Sequence, residues 1–531
     1  MLAASSTRAL GAYYTPPTAA QFLARWALRN HRDRVLEPSM GDGAFLHALS
    51  LEDDCRTLDA EVWGIEMASD TFESTVASGV IERKYAVCSD FLSVDPFDVD
   101  AVVGNPPYVR LRHVPSDQAD RARTVAETVL GEPMDPSGSV WMPFVLHASR
   151  FLRPGGRLAL VLPYDLTYVR YARPLWNFLG NHFGELRIVR VHERMFPNIL
   201  QEAVLLLADD FRRRTSRVRF EAYETVTQLD SGQPVLGTSI EIADVADGER
   251  AFLEALLSEE ARSLLRTRIA PATVAARELV TFNIGYVCGD KTFFHPTPAT
   301  IEAYGLSPAS LRPALTAARQ LRGVGLRTSS LASSQFSQLF LPGAKLVNGE
   351  RDYVSHGESL GVTERYKCRI RDPWYVTPYV RTPDVLLPVF TEKPALLVND
   401  AQVAASNSLL CGYLKDTTAE ALASAWFTSL TLLQLELQVH ALGGGVMVLV
   451  PREAGNVRLP RVEVVDPRRL DSLHELLADG KLDLAFASGD GPVLRDLVGL
   501  TSTEVAIIQE AVETLSHWRT AARSSTSAVI R

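Results

Sequence analysis

The sequence predicts an α/β protein whose N-terminal part is a Rossmann-like sheet, parallel except for an antiparallel last strand. Short apolar strands alternate with helical patterns over about the first 215 residues, which favours parallel strands with helices on both faces. Two apolar segments at the end of this region, 186–196 and 202–211, are joined by a short turn and predict an antiparallel pair. After about Phe211 the pattern changes to short strands, Pro and Gly turns and Arg-rich loops, which predicts a second, mixed α+β domain.

The individual elements follow from apolar periodicity and from the residues that interrupt it. The predicted strands are 33–38, 60–67, 84–91, 99–105, 154–163, 186–196, 202–211 and 216–226. The predicted helices are 15–30, a segment from Ala44, 139–152, 174–183, 417–440 and 466–479, with an acidic helical stretch at 244–260. Thr15 is a candidate N-cap for the first helix, and Pro16 suits a first helical turn. The segment 111–130 is predicted as a loop.

Length and composition indicate a soluble protein of more than one domain. The chain has 531 residues, of which 46% are apolar and 22% charged. No apolar run approaches the roughly 18–20 residues of a membrane span, and the N-terminus lacks the apolar core of a signal peptide. The five cysteines are scattered and form no CxxC pair, so we expect a cytoplasmic protein without a structural zinc site.

Charge is unevenly distributed along the chain. The net charge is −9, yet residues 261–384 contain 16 Lys and Arg against 9 Asp and Glu, which makes this segment +7. A basic segment in an acidic protein is expected where one domain meets phosphate groups, although chance clustering on a solvated surface gives the same count. Its candidate contacts are Arg319, Arg322, Arg327, Arg365, Lys367, Arg369 and Arg371.

Residues after the first predicted strand suit a ligand at the carboxyl edge of the sheet. Glu37 and Pro38 end that strand, and Gly41 and Gly43 follow, where glycine lets a ligand approach the backbone. The pattern is neither the GxGxxG dinucleotide fingerprint nor a P-loop, and a tight strand-to-helix turn explains it equally well.

The next two strands end in carboxylates. Glu66 follows Gly43 by 23 residues, close to the ~20-residue spacing at which dinucleotide folds place a ribose-binding carboxylate. Asp90 can accept a hydrogen bond from an exocyclic amine, and Phe91 can cover a purine face. The alternatives are a solvated carboxylate at Glu66, and a helix cap beside a core phenylalanine at Asp90 and Phe91.

The fourth strand ends in GNPPY, the most specific motif in the chain. The two prolines stop the sheet ladder after Asn105. The Asn105 side-chain oxygen and the Pro106 carbonyl provide two acceptors for one amine, and Tyr108 provides a face for a flat ring. The motif therefore predicts a site that holds a planar amine for alkylation.

The segments YYTPP, LEPSMGDGAFL, GIEM, SDFL and GNPPYVR occur in the order and at the spacing typical of one family. From Tyr13 to about Phe211 the chain resembles the γ-type amino-methyltransferases of type II restriction–modification systems. Those enzymes methylate N6 of a flipped adenine in DNA with S-adenosylmethionine and have the class I methyltransferase sheet. Met40 departs from the family, which more often has a small or polar residue there.

The resemblance implies a role for each motif residue. It puts Thr15 near the methionine end of the cofactor. It puts the loop residues after the first strand beside the cofactor, namely Glu37, Pro38, Gly41 and Gly43. Glu66 would bind the cofactor's ribose, and Asp90 and Phe91 its adenine. It gives Asn105 and Pro106 the target amine, and it gives Tyr108 and Phe196 the two faces of the target base. It implies no metal, double-stranded DNA as substrate, a monomer on DNA and a cognate restriction endonuclease as functional partner.

On this interpretation the chain divides into a catalytic domain at 1–228, a linker at 229–260 and a DNA target-recognition domain at 261–531. Two segments of the last domain are predicted to form β-hairpins typical of this family's specificity domains. They are TFNIGYVCGDKTFF and HALGGGVMVLVP. Two rival functions use the same NPPY motif, namely protein glutamine-N5 methylation and rRNA guanine-N2 methylation. A methylase–nuclease fusion is disfavoured because no PD…(D/E)xK pattern precedes the motifs, and a non-catalytic DNA-binding module because the cofactor motifs are complete.

Overall fold

The computed structural model describes residues 15–30, 32–51, 61–196, 202–247, 250–343, 345–442 and 445–520. The chain forms two compact units, the first running to Leu256 and the second from Leu257 to Arg519. Residues 229–256, which the sequence assigns to a linker, belong to the first unit, where 236–241 form a strand of its sheet. No helix in these ranges is long and apolar enough to cross a membrane.

The first unit alternates strands and helices as predicted. Its strands are β1 (Arg34–Glu37), β2 (Glu61–Glu66), β3 (Ala86–Cys88), β4 (Val99–Gly104), β5 (Leu152–Pro163), β6 (Phe183–Val191), β7 (Ala203–Phe211), β8 (Arg217–Tyr223) and β9 (Leu236–Glu241). Its helices are α1 (Pro17–Ala27), α2 (Ala44–Leu51), α3 (Ser69–Ala77), α4 (Ser116–Leu130), α5 (Trp141–Ser149), α6 (Arg173–His182), α7 (Ile242–Asp247) and α8 (Ala251–Glu254).

These strands form one sheet in the order β3-β2-β1-β4-β5-β7-β6-β8-β9. The strands from β3 to β5 run parallel, whereas β7 lies antiparallel between β5 and β6. The predicted α/β fold with a parallel sheet and an antiparallel last strand is therefore confirmed. Because β1 to β4 are parallel, their carboxyl ends meet at one edge, and the predicted ligand residues lie there.

The core of the first unit joins the sheet to the helices on its face. Leu23 of α1 and Phe45 of α2 pack with Val103 of β4 and Leu205 of β7, and each of these side chains is at most 1% exposed. Fully burying such side chains contributes about 1.5–3 kcal/mol each. Helix α1 therefore holds Thr15, two residues before its start, against the sheet edge.

The segment 111–130 is not the loop that the sequence predicts. Residues Leu111–His113 form a 3₁₀ turn, and α4 follows from Ser116 to Leu130. The buried face of α4 consists mainly of Ala119, Ala122 and Ala126, and it packs against α5. Alanine gives a weak amphipathic signal but a high helix propensity, which explains why apolar patterning alone missed the helix.

The second unit is mixed α+β. Its helices are α9 (Glu259–Leu264), α10 (Ala270–Ala272), α11 (Ala276–Leu279), α12 (Lys291–Phe294), α13 (Pro298–Tyr304), α14 (Asn348–Ser359), α15 (Tyr366–Arg369), α16 (Ala419–Trp426), α17 (Ser429–Gln438), α18 (Pro451–Asn456), α19 (Pro467–Ala478), α20 (Leu482–Ala487) and α21 (Ser502–Thr520). Its strands are β10 (Val274–Ala275), β11 (Val280–Ile284), β12 (Leu311–Leu315), β13 (Ser337–Phe340), β14 (Val385–Pro388), β15 (Phe390–Thr391), β16 (Leu397–Val398), β17 (Ala404–Ala405), β18 (Leu409–Leu414), β19 (His440–Leu442), β20 (Val446–Val448) and β21 (Arg458–Leu459).

The strands of the second unit form small sheets rather than one large one. They pair in the orders β11-β18-β14-β16, β13-β12-β17, β15-β20-β19 and β10-β21. The predicted hairpin at HALGGGVMVLVP is present as β19 and β20, whereas TFNIGYVCGDKTFF forms no hairpin because β11 pairs with the distant β18. The predicted helix 417–440 is two helices, since Thr428 caps α17 with its hydroxyl two residues after α16 ends.

Candidate cofactor and substrate site

Asn105 stands at the carboxyl end of β4 and is tied to two other segments. Its Nδ2 donates to Thr15 Oγ1 over 3.2 Å, and its backbone carbonyl accepts from Ser39 Oγ at 3.1 Å. Thr15 is therefore not the predicted N-cap, because α1 begins at Pro17 behind Pro16 and makes no side-chain cap. The YYTPP and GNPPY motifs, ninety positions apart, meet through this amide.

The strand-one loop reaches the same motif through close backbone packing. A Cβ atom on Gly104 would lie 3.2 Å from Pro38 Cδ, so a glycine before Asn105 lets the two strand ends lie side by side. Pro106 is buried and Tyr108 is half-buried. Within the described ranges no donor reaches the Pro106 carbonyl, as expected of an oxygen held out of the sheet ladder by proline.

The glycine turn is built around the Glu66 carboxylate. Gly41 has φ +51° and donates from its backbone to Glu66 Oε2 over 3.1 Å, while its carbonyl accepts from Thr75 Oγ1 at 2.6 Å. Glu66 Oε1 accepts from the Ala68 backbone at 2.8 Å. Gly43 has φ +82°, and a Cβ there would press on Thr75. Gly41, by contrast, has open space where its Cβ would stand, so a ligand can approach the turn at that residue.

Glu37 is a buried acid at this edge of the sheet, and its pKa is strongly raised. Its side chain is 1% exposed, and Oε2 has no hydrogen-bond partner within the described ranges. Burial, reinforced by the nearby carboxylates of Asp42 and Glu66, raises the pKa of Glu37 well above its ordinary value. Burial also raises the pKa of Asp42. A buried carboxyl with a raised pKa, and with an oxygen that has no partner in the described structure, can interact with a polar ligand group.

Asp90 and Phe91 have different environments. Asp90 Oδ1 accepts from the Leu92 backbone at 3.0 Å, and Oδ2 accepts from Arg121 of α4. Phe91 is 2% exposed, and its ring stacks on Phe151 at 5.4 Å between centroids. Asp90 therefore lies on the rim of the site, whereas Phe91 is packed as a core residue.

Phe196 also lies in the core. It is 5% exposed and packs in the cluster that contains Tyr223 and Leu229. The chain that follows it, 197–201, lies outside the described residues, as do Tyr13 and Tyr14 of the first motif. A stacking role for Phe196 stays a prediction.

Three basic candidates of the second unit have partners within it. Arg371 donates to the carbonyls of Val287 and Cys288 at 2.5 and 2.9 Å. Arg365 lies 3.5 Å from Asp290 and Arg327 3.3 Å from Glu420. Through these contacts the three side chains link segments of the second unit to one another.

The other four candidates lie at exposed positions. Arg319, Arg322, Lys367 and Arg369 are exposed, and the Lys367 ammonium lies 5.4 Å from the centre of the Tyr366 ring. Tyr366 is itself 63% exposed. The four are better placed for a charged ligand than the three that are already paired.

The sequence reasoning missed three residues that organise the site, Ser39, Thr75 and Arg121. Ser39 stands inside the LEPSMGDG motif, so its hydroxyl was visible as a candidate. Thr75 and Arg121 lie on α3 and α4, and nothing in the local sequence shows that they reach Gly41 and Asp90.

The sheet order and the strand-end residues define a class I methyltransferase fold, and two family models match the chain. Residues 1–171 match the N-6 DNA Methylase model. Residues 249–494 match the model of the type II methyltransferase M.Eco57I, C-terminal domain. These two matches confirm the resemblance to N6-adenine type II methyltransferases found in the motifs of the chain.

Curated relatives match part of the chain at low identity. The type II methyltransferase M.HincII of Haemophilus influenzae is 23% identical over 199 residues, which are 37% of this chain and 36% of that protein. The type II methyltransferase M.PaeR7I of Pseudomonas aeruginosa is 29% identical over 181 residues, 29% of this chain and 31% of that protein. The chain spans about a third of the length of the curated relatives it matches.

A solved structure shares the fold over most of the chain. The type IIL restriction-modification enzyme MmeI, in complex with DNA, matches with a TM-score of 0.54 and 13% identity over 94% of this chain and 75% of that one.

Proposed function

We propose that this protein is a site-specific DNA methyltransferase that transfers a methyl group from S-adenosylmethionine to N6 of adenine in duplex DNA. The observation that carries the proposal is the meeting of Asn105, Thr15 and Ser39 at the sheet edge beside the glycine turn. It brings an amine-holding motif next to residues suited to a nucleoside, which is what methyl transfer to a base amine requires.

The residues at the sheet edge fit S-adenosylmethionine. That molecule has an amino group, ribose hydroxyls and an adenine amine as donors, and Glu37, Glu66 and Asp90 offer carboxyl oxygens along the edge. The oxygen of Glu37 without a partner in the described structure and the open side of Gly41 support this fit. When bound, the cofactor supplies an electrophilic sulfonium methyl group.

The GNPPY residues would hold the target amine. The Asn105 side-chain oxygen and the Pro106 carbonyl would accept its two hydrogens, which favours a nitrogen lone pair directed away from the base ring. Tyr108 would stack on the base. Flipping a base costs a few kcal/mol, and a base–aromatic stack returns about 1–3 kcal/mol.

The second unit would recognise the DNA, in line with the +7 charge of residues 261–384. We further propose that the protein acts in the cytoplasm as a monomer on DNA, and that it protects that DNA from a cognate restriction endonuclease.

The test is methyl transfer with competing substrates. The protein is incubated with labelled S-adenosylmethionine and, separately, with duplex DNA, a release-factor protein and rRNA. Label in N6-methyladenine of duplex DNA, and its loss in Asn105→Ala, supports the proposal. Label only in glutamine or in rRNA guanine contradicts it and supports one of the two rival functions.

A further inference from the structure

Helix α4 makes a charged contact with the rim of the cofactor site. Arg121, in its second turn, donates from Nη1 to Oδ2 of Asp90, and the two side chains are 36% and 18% exposed. Arg123 lies two positions later on the same helix but pairs instead with Asp120 at 2.7 Å, on the outer surface. The two arginines therefore have different environments within one turn.

The Arg121 contact completes the fixation of a single carboxylate. Asp90 Oδ1 accepts from the Leu92 backbone at 3.0 Å while Oδ2 accepts from Arg121. A carboxylate offers about four lone-pair directions, so two remain for a ligand. Because both oxygens are held, the two remaining acceptor directions are fixed in space. A fixed acceptor can distinguish a base that has a hydrogen-bond donor at one position from a base that does not.

The same helix contacts the neighbouring strand end. Gln118 Nε2 lies 3.9 Å from Met67 Sδ, one residue after Glu66, and the Ser89 backbone donates to the Glu66 carbonyl at 3.0 Å. Helix α4 thus spans the ends of β2 and β3. Its buried alanines pack it against α5, whose His147 ring lies 4.8 Å from the ring of Phe91. The turn that contains Asp90 is therefore held from two helices.

We propose that Arg121 is a positioning residue that orients the Asp90 carboxylate toward the exocyclic amine of the cofactor's adenine. The inference rests on the proposed function, because it requires that the chain binds an adenosyl cofactor. A fixed carboxylate accepts from the 6-amino group of adenine and faces the 6-oxygen of hypoxanthine with repulsion. Arg121 therefore contributes selectivity between these two bases, beyond any contribution to the stability of the fold.

The experiment measures this selectivity directly. Dissociation constants are determined by calorimetry for S-adenosylhomocysteine and for its inosine analogue, with the wild type, Arg121→Ala, Arg121→Lys and Arg123→Ala. The wild type should prefer the adenine ligand by about tenfold or more, since hydrogen bonds to charged groups are strong. Arg121→Ala should reduce that preference to about threefold or less, Arg121→Lys should be intermediate, and Arg123→Ala should keep the wild-type ratio.

The other outcomes are distinct. If Arg121→Ala weakens the binding of both ligands by the same factor, Arg121 has only a structural role and the inference is wrong. If Arg121→Ala changes neither dissociation constant, the inference is wrong as well, whatever the thermal midpoint of the variant. A wild type that binds neither ligand defeats the proposed function itself.

Discussion

The side-chain amide of Asn105 donates to the Thr15 hydroxyl over 3.2 Å. Thr15 is 7% exposed, so this bond is sheltered from water, and Ser39 holds the Asn105 backbone carbonyl from the other side. Asn105, which we propose binds the target amine, is thus held by two separate segments. Ser39 fixes its backbone, and Thr15 fixes the plane of its side-chain amide. Such preorganisation is worth most when charge develops in the transition state.

Replacing Asn105 with alanine should abolish most methyl transfer while the protein still binds cofactor. Removing one preorganised hydrogen-bonding group typically costs about 10²–10³ in kcat. The check is a single-turnover transfer assay on duplex DNA together with calorimetric binding of S-adenosylhomocysteine, whose Kd should change less than about threefold. Asn181→Ala, at an exposed position on α6, is the matched control. Turnover near the wild-type rate in Asn105→Ala would remove Asn105 from the mechanism.

Thr15→Val should lower kcat by about tenfold or more, because valine has the same shape but cannot accept from the Asn105 amide. Thr15→Ser keeps the acceptor and should stay within about threefold of the wild type. Both variants are measured for kcat and for cofactor and DNA KM. Equal rates for the valine and serine variants would show that the bond does not orient Asn105.

Strands β1 to β8 of the first unit could be predicted from sequence because their signals are local. Apolar runs such as 99–105 give strands whatever surrounds them. The function of Thr15 could not be predicted in the same way. Local rules assign its hydroxyl to the next helix, but its observed partner stands ninety positions away. The pairing of β11 with β18 is equally non-local.

The site was predictable to a similar degree. The location of the motif residues at one edge of the sheet could be predicted from sequence, because parallel strands bring their carboxyl ends to one edge. The Asp90–Arg121 contact was not, since it depends on a helix whose alanine-rich face gives little periodic signal.

Glu37→Gln should make the protein more stable, relative to the wild type, as pH rises. Burial raises the pKa of Glu37, so between its unfolded and folded pKa the folded state binds more protons than the unfolded state. Wild-type stability must then fall with rising pH, by up to about 1.4 kcal/mol per pH unit, and glutamine removes that dependence.

The measurement is the thermal midpoint of both proteins from about pH 5 to about pH 8, with the exposed Glu127→Gln as control. A constant difference between Glu37→Gln and the wild type over this range would mean that Glu37 is charged in the fold.

Asp33→Ala should destabilise the first unit by about 3–5 kcal/mol, because it leaves a buried charge on Arg157. The two side chains are 1% and 5% exposed and paired, and Arg157 also donates to the Ala27 carbonyl at the end of α1. Urea unfolding gives the magnitude. Replacing both partners, as in Asp33→Leu with Arg157→Met, should cost less than the single change.

The pH dependence of this pair has the opposite sign to that of Glu37. Burial alone would raise the pKa of Asp33, but hydrogen bonds from the Arg29 and Asn30 backbone and the Arg157 charge lower it below its ordinary value of 3.8. Its contribution is therefore complete above that value and is lost as pH falls through the folded pKa. Glu73→Ala, which breaks an exposed pair with Arg83, should leave the urea midpoint unchanged. A small effect of Asp33→Ala would mean that water reaches the pair.

Lys367→Ala and Arg369→Ala should weaken DNA binding uniformly across sequences, each reducing the slope of log K against log salt by about one. Both side chains are exposed, whereas Arg371 donates to two backbone carbonyls within its own unit. Arg371→Ala should therefore lower the thermal midpoint, because it leaves the Val287 and Cys288 carbonyls without their donor. Lys481→Ala, an exposed lysine of the same unit outside the basic segment, should leave the slope unchanged. If the slope is the same in Lys367→Ala, Arg369→Ala and the control, this part of the basic segment does not meet the phosphates, and the DNA path must run elsewhere on the second unit.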